Sequence, residues 1–181
     1  MKWLKILGSV LLAVVLLPLI VLFLLGFRSD ANQSHSSTTI HQRPEAIWPW
    51  LYEPDKLKAW VSWMVEARRD PPGAPVVGSQ GVWVMEDRNN NNMRMEIASR
   101  VEAVEPAHRL VLQLEAKDEF RGDATYVLTD LGNGDTRLDV DNHYNLDNWF
   151  AKLMMPVVKI AARQKAESDL AHLRSLVESA K

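Results

Sequence analysis

The residues with the clearest potential for chemistry are Asp139, Asp141 and His143, which occupy every second position of one stretch. In an extended strand this spacing puts all three side chains on one face. Their oxygen and nitrogen atoms could then ligate a metal ion. Leu138 and Val140 alternate with them, so the apolar face would be the buried one. We therefore expect the three polar side chains to face solvent, and the sequence predicts no metal site.

General acid–base chemistry would need a carboxylate or imidazole that turns into a buried cavity, where its pKa would shift. The candidates are Asp118, Glu119, Asp123 and His143. Solvated positions are the simpler interpretation of all four. The chain has no cysteine and no nucleophile-elbow or triad motif. The sequence thus assigns no catalytic residue and no cofactor.

The first 28 residues are predicted to form a membrane anchor, because the run from Ile6 to Phe27 contains no charged residue. A helix of that length can cross a hydrocarbon layer of about 30 Å. A cleaved signal peptide is the alternative, but Phe27–Asp30 offers no small-residue cleavage site. Lys2 and Lys5 outweigh Arg28, which places the N-terminus in the cytoplasm and the domain on the periplasmic or extracellular side of a bacterial inner membrane.

Charge separates the remaining chain from this segment. Three of the 21 basic residues precede residue 29, which leaves 18 against 23 acidic ones, a net charge of −5. An acidic domain has no general attraction to nucleic acid or to anionic lipid headgroups. Residues 29–35 are polar and are predicted to be a linker, and residues 36–181 a single domain.

The C-terminal stretch from Asn145 to Ser179 is predicted to be one long helix, kinked at Pro156. Apolar residues recur at steps of three and four, which places them on one face. The chain between Trp63 and Tyr144 instead alternates with a period of two, and turn signals divide it into six antiparallel strands. Both faces of the strand Gly78–Glu86 are apolar, and we expect Trp83 and Met85 to face inward. The predicted helical stripe comprises Leu146, Trp149, Phe150, Leu153, Val157, Ile160, Ala161, Leu170, Leu173 and Val177.

Three segments resemble a known superfamily. The stretch Ile40–Leu51 with Pro54–Trp60 resembles the opening strand and two short helices of the SRPBCC superfamily, which includes START lipid-transfer domains and polyketide cyclase/dehydrase-like proteins. Val101–Leu110 and Gly134–Leu138 resemble its later hairpins. Over residues 36–179 the resemblance implies an α+β helix-grip fold: a curved antiparallel sheet of about seven strands (β-α-α-β6-α) around the C-terminal helix.

Aromatic and methionine residues indicate where a ligand would lie in such a fold. Methionine fills irregular apolar space flexibly and is common around variable ligands, although a soft core without a cavity would have the same composition. We predict a pocket between sheet and helix. Its predicted lining residues are Trp60, Trp83, Met85, Met93, Met95, Ile97, Leu112, Tyr126, Trp149, Leu153 and Met154.

The sequence therefore favours a membrane-anchored monomer that binds a hydrophobic small molecule or lipid without transforming it. Two alternatives remain. A cyclase/dehydrase-like enzyme would place an acid, a base or one of the phenols Tyr126 and Tyr144 in the pocket. A protein-binding module would instead show an exposed apolar patch, for which Trp50, Val82 and Val84 are the candidates.

Overall fold

The computed structural model describes residues 14, 16–18, 20–21, 32–87, 91–117, 119–146 and 155–180. Its strands are β1 (Gln33–Ile40), β2 (Met64–Asp70), β3 (Gln80–Asp87), β4 (Met93–Glu105), β5 (Arg109–Ala116), β6 (Phe120–Asp130) and β7 (Thr136–Leu146). Its helices are α1 (Pro44–Ile47), a 3₁₀ turn (Trp48–Leu51), α2 (Pro54–Trp60) and α3 (Met155–Ser179).

The strands form one antiparallel seven-stranded sheet in the order β1-β7-β6-β5-β4-β3-β2. Together with the C-terminal helix this is the α+β helix-grip architecture, so the predicted order of strand, short helices, six strands and long helix is confirmed. Pro44 and Pro54 each begin a short helix, where the missing backbone N–H has no helical partner to lose. Among the described residues no helix is both long and apolar enough to cross a membrane. The predicted anchor, Ile6–Phe27, falls for the most part outside them.

Two predicted boundaries are wrong. The first strand begins at Gln33 and not near Thr38, so residues 33–35 of the predicted linker pair with β7. Asn145 and Leu146 belong to β7 rather than to the C-terminal helix, because they continue the ladder opposite Arg121 and Phe120. The predicted kink at Pro156 lies at the edge of a gap in the described residues.

One face of the sheet, called here the core face, packs against α2 and the C-terminal half of α3. Leu170, Leu173 and Val177 of α3 join this core. The predicted stripe is wrong for Ile160, which is 61% exposed, and for Ala161, also exposed. From Lys159 onward, where burial is described, the first buried residues of α3 are Asp169 and Leu170. The core also contains Ile40, Ile47, Trp48, Leu51, Leu57, Trp60, Met64, Ala67, Val101, Leu110, Leu112, Ala124, Tyr126, Leu128, Leu138 and Val140.

Irregularities in the strands adjust which residues reach the core. The β4–β5 register shifts between Val101 and Ala103, and after this shift Val104 packs against the core. Gly122 lies so close to the backbone of β7 that an added Cβ would collide with the carbonyl oxygen of His143. Glycine permits this close approach because it has no side chain.

Candidate functional site

The predicted pocket residues divide into a filled part and a half-open part. Trp60, Leu112 and Tyr126 are buried members of the core, and the Trp60 indole Nε1 donates a 2.9 Å hydrogen bond to the Trp50 carbonyl. Beside Leu112 the structure leaves a cavity of about 10 Å³. That volume holds about one water molecule. This end of the predicted pocket is therefore packed core.

The half-open part is called here the apolar strip and consists of Trp83, Met85, Met95 and Ile97. Cross-strand pairs hold it together, because Trp83 lies opposite Ile97 and Met85 lies opposite Met95. Trp83, Met85 and Met95 are half-buried and Ile97 is buried. Trp83 and Met85 pack against the core, so their predicted inward orientation is confirmed.

Four predicted lining residues remain: Met93, Trp149, Leu153 and Met154. Met93, at the start of β4, is 50% exposed. Trp149, Leu153 and Met154 lie outside the described residues. Whether any member of the set contacts a ligand stays a prediction.

The proposed protein-binding patch is not an exposed surface. Val84 is buried, and Val82 and Trp50 are half-buried, with Trp50 packed against the core. The expectation that these three residues form an exposed apolar patch is wrong, because the outer face of β3 is itself largely covered.

Sequence analysis missed Arg69, which lies at the edge of the small cavity. It shares a strand face with buried Ala67, two residues earlier in β2. Its Nη2 donates to the Tyr52 carbonyl at 3.3 Å, and the guanidinium lies 5.5 Å from the centre of the Tyr52 ring. Nη1 is buried and has no hydrogen-bond partner. Burial lowers the pKa of Arg69. The sequence signal for Arg69 was its position two residues after Ala67, on the same inward face of β2.

A second unpredicted feature is Asp169, which lies outside the predicted apolar stripe of the helix. The residue is nevertheless only 6% exposed. One carboxylate oxygen accepts a hydrogen bond from Lys165 Nζ at 2.5 Å, and the other accepts one from the Ser62 backbone N–H at 3.2 Å. The carboxylate thus ties α3 to the segment between α2 and β2.

Tyr126 has the most strongly shifted pKa of the described phenols. Burial in the core, with a smaller contribution from the Asp169 charge, raises the pKa of Tyr126 to about 12. The phenol therefore stays protonated at neutral pH and is no general base there. The other candidate phenol, Tyr144, donates a 2.7 Å hydrogen bond to Ser34 Oγ.

The acid–base candidates that the structure describes lie on the outer face or in a turn. Asp139, Asp141 and His143 alternate with the core residues Leu138 and Val140, as predicted. His35 Nδ1 lies 2.7 Å from Asp141 Oδ1.

His143 Nδ1 lies 3.4 Å from Asp123 Oδ1, while its Nε2 lies 2.7 Å from Asn32 Nδ2. Glu119 is exposed and Asp118 is outside the described residues. Within the described part of the chain, no three His, Cys, Asp or Glu side chains are grouped to hold a metal ion.

Comparison with known proteins identifies the family. A family model described as "Polyketide cyclase / dehydrase and lipid transport" matches residues 33–178. The chain belongs to this family. The matched range begins at the first residue of β1 and ends within the last turn of α3, so it covers the whole helix-grip domain. Among functionally curated proteins there is no significant match.

Solved structures of similar fold come from several bacteria. TTHA0849 of Thermus thermophilus is 19% identical, with a TM-score of 0.67 over 82% of this chain and 99% of that one. A protein of Rhodobacter sphaeroides is 21% identical, with a TM-score of 0.66 over 83% and 95%. CV1439 of Chromobacterium violaceum is 16% identical, with a TM-score of 0.62 over 81% and 98%. At these identities the similarity establishes the fold alone.

Proposed function

We propose that this domain binds an apolar small molecule or lipid against the apolar strip and does not transform it. The observation that carries the proposal is the strip itself: three large, flexible or aromatic side chains remain half-exposed on the face that elsewhere forms a filled core. Such side chains adapt to ligands of variable shape. The family description, which includes lipid transport, supports the same function.

The enzyme alternative has less support from the described residues. Of the acid–base candidates, those that the structure describes face outward or lie in a turn. The Tyr126 phenol stays protonated at neutral pH. A binding role needs only an apolar surface that a ligand can contact.

We further propose that the N-terminal segment anchors the domain to the bacterial inner membrane, with the domain on the periplasmic or extracellular side. The uncharged run Ile6–Phe27 and the preceding lysines support this arrangement. The described residues within that run are helical, and Val14, Leu17 and Ile20 expose their apolar side chains. Given the domain's acidic charge, tethering would come from this segment and not from electrostatic attraction.

The binding function is tested with the full-length chain and the neutral apolar fluorophore N-phenyl-1-naphthylamine. We expect saturable binding by the parent protein. Met85→Gln should weaken binding about fivefold or more, because the amide would be desolvated against an apolar ligand. Leu131→Gln is the control, since Leu131 is 45% exposed and lies in the turn after β6, outside the apolar strip. Native mass spectrometry of the same preparation should detect a co-purified lipid.

Two results would contradict the proposal. One is the absence of both probe binding and co-purified lipid. The other is equal loss of binding in Met85→Gln and Leu131→Gln. Leu112→Trp serves as a stability reference, because its site is filled and overpacking typically costs about 1–3 kcal/mol.

A further inference from the structure

Arg69 is distinct among the arginines of the described chain. The other arginines of the described residues are exposed, and six of them also pair with a carboxylate: Arg68, Arg94, Arg121, Arg137, Arg163 and Arg174. Arg69 is half-buried on the core face, and its side-chain contacts are the Tyr52 carbonyl and the Tyr52 ring. Neither of these groups carries a negative charge, so the guanidinium charge is left without a counterion by the described residues.

Arg69 lines the small cavity, and one nitrogen of its guanidinium has no hydrogen-bond partner. Nη1 is buried and unpaired, and the cavity beside Arg69 is also lined by Ser99, Trp83 and Leu112. A buried donor without an acceptor is costly, and more so when it is charged. The space of about 10 Å³ accommodates one oxygen-sized group. An acceptor oxygen at this position would satisfy Nη1.

The same position is one end of the apolar strip. Arg69 lies opposite Gly81 in β3, and Trp83 and Met85 follow on the same face of that strand. At about 3.3 Å per residue, Met85 lies roughly 13 Å along the strand from Gly81. The Arg69 guanidinium at one end and an apolar strip of this length match an amphipathic molecule with one acidic head.

We propose that the ligand is an amphipathic carboxylic acid whose carboxylate binds Arg69 and whose apolar tail lies along Trp83, Met85 and Met95. This inference rests on the proposed binding function and specifies its ligand class. Because Nη2 already donates to the Tyr52 carbonyl, Nη1 is left to donate one charge-assisted bond to a carboxylate oxygen, and such bonds are stronger than neutral ones. The single positive charge of Arg69 also matches a singly charged carboxylate better than a doubly charged phosphate group.

The test compares octanoate with 1-octanol, which share an apolar tail and differ in the head. The full-length chain is kept in solution by an amphipathic polymer, and affinities are measured by isothermal titration calorimetry. We expect the parent protein to bind octanoate about tenfold more tightly than octanol, as one charge-assisted bond implies. Arg69→Gln should abolish this preference, so that the two ligands bind with similar affinity.

Two further variants separate recognition from stability. Arg68→Gln is the matched control, because Arg68 is the exposed neighbour paired with Glu66 at 2.7 Å, and it should keep the preference. Arg69→Lys retains the charge but does not reproduce the position of Nη1, so an intermediate preference is expected. Far-UV circular dichroism reports whether the Arg69 variants remain folded.

The outcomes distinguish this inference from the underlying function. If the parent binds both ligands equally, or if Arg69→Gln keeps the preference for octanoate, the carboxylate assignment is overturned while apolar binding stands. If the parent binds neither ligand, the binding function and the carboxylate assignment both fall. A water molecule that merely satisfies Nη1 would give the first of these results.

Discussion

At the residue scale, the core face of the sheet carries polar groups whose protonation is set by burial. Tyr126 is the clearest case, because it lies within the core and near the Asp169 carboxylate, and its pKa is raised to about 12. Both effects oppose a phenolate. The folded state therefore favours the protonated phenol more strongly than the unfolded chain does, where tyrosine titrates near pH 10.

This difference predicts a loss of stability at high pH. Because the folded-state pKa is raised, the stabilising contribution of Tyr126 is complete below about pH 10 and is lost as pH rises toward about 12. The slope in that window should be about 1.4 kcal/mol per pH unit. Urea unfolding of the parent and of Tyr126→Phe at pH 9, 10 and 11 measures it. The parent should lose more stability than the variant, and parallel losses would contradict the assignment.

At the element scale, the helix-grip arrangement depends on contacts between elements that are distant in sequence. Asp169 connects α3 to Ser62, and Leu170, Leu173 and Val177 pack into the core. The first half of the described helix instead exposes Ile160. These contacts lie in the second half of α3 and hold it against β1 and α2.

Close packing of β6 against β7 makes Gly122 sensitive to substitution. In Gly122→Ala the new methyl group would meet the His143 carbonyl, which is backbone and cannot rotate away. We expect a loss of about 1–3 kcal/mol in the free energy of unfolding, as for other overpacking changes. Thr129→Ala, in the same strand, is the control and should cost less than about 1 kcal/mol. Equal free energies of unfolding for Gly122→Ala and the parent in urea would contradict this prediction.

At the scale of the whole molecule, the acidic domain and the apolar N-terminal segment have different roles in our proposal. The domain would hold the ligand, and the segment would hold the domain at the membrane. The predicted monomeric state stays a prediction, and an obligate dimer in sedimentation experiments would contradict it.

The anchor proposal is tested by fusing a reporter that is active only outside the cytoplasm to Lys181. We expect activity in the membrane fraction, because the lysines before the apolar run favour a cytoplasmic N-terminus. Replacing Leu12 and Leu16 with arginine should move the fusion out of that fraction, since each charge at the centre of a helix costs about 2.5–3.5 kcal/mol on insertion. A processed, soluble fusion in the unsubstituted protein would instead indicate a cleaved signal peptide.

The sequence by itself determined the elements and most of the strand faces. Prolines at helix starts, glycine and asparagine at turns, and period-two alternation are local signals, and each is carried by neighbouring residues. They predicted the strands after Trp63 and the outward position of Asp139, Asp141 and His143. The inward orientation of Trp83 and Met85 was also predicted, although both faces of their strand are apolar.

Only the tertiary structure decided which side chains find partners. Asp169 follows the pattern of a solvated helix position, yet Ser62, 107 residues earlier, covers it. Arg69 looks like any strand arginine, and its unpaired Nη1 is visible only once Tyr52 lies over it. Ile160 continues the apolar stripe but remains exposed. The physical reason is that periodicity specifies the direction of a side chain, whereas burial and charge compensation depend on what the rest of the chain places there.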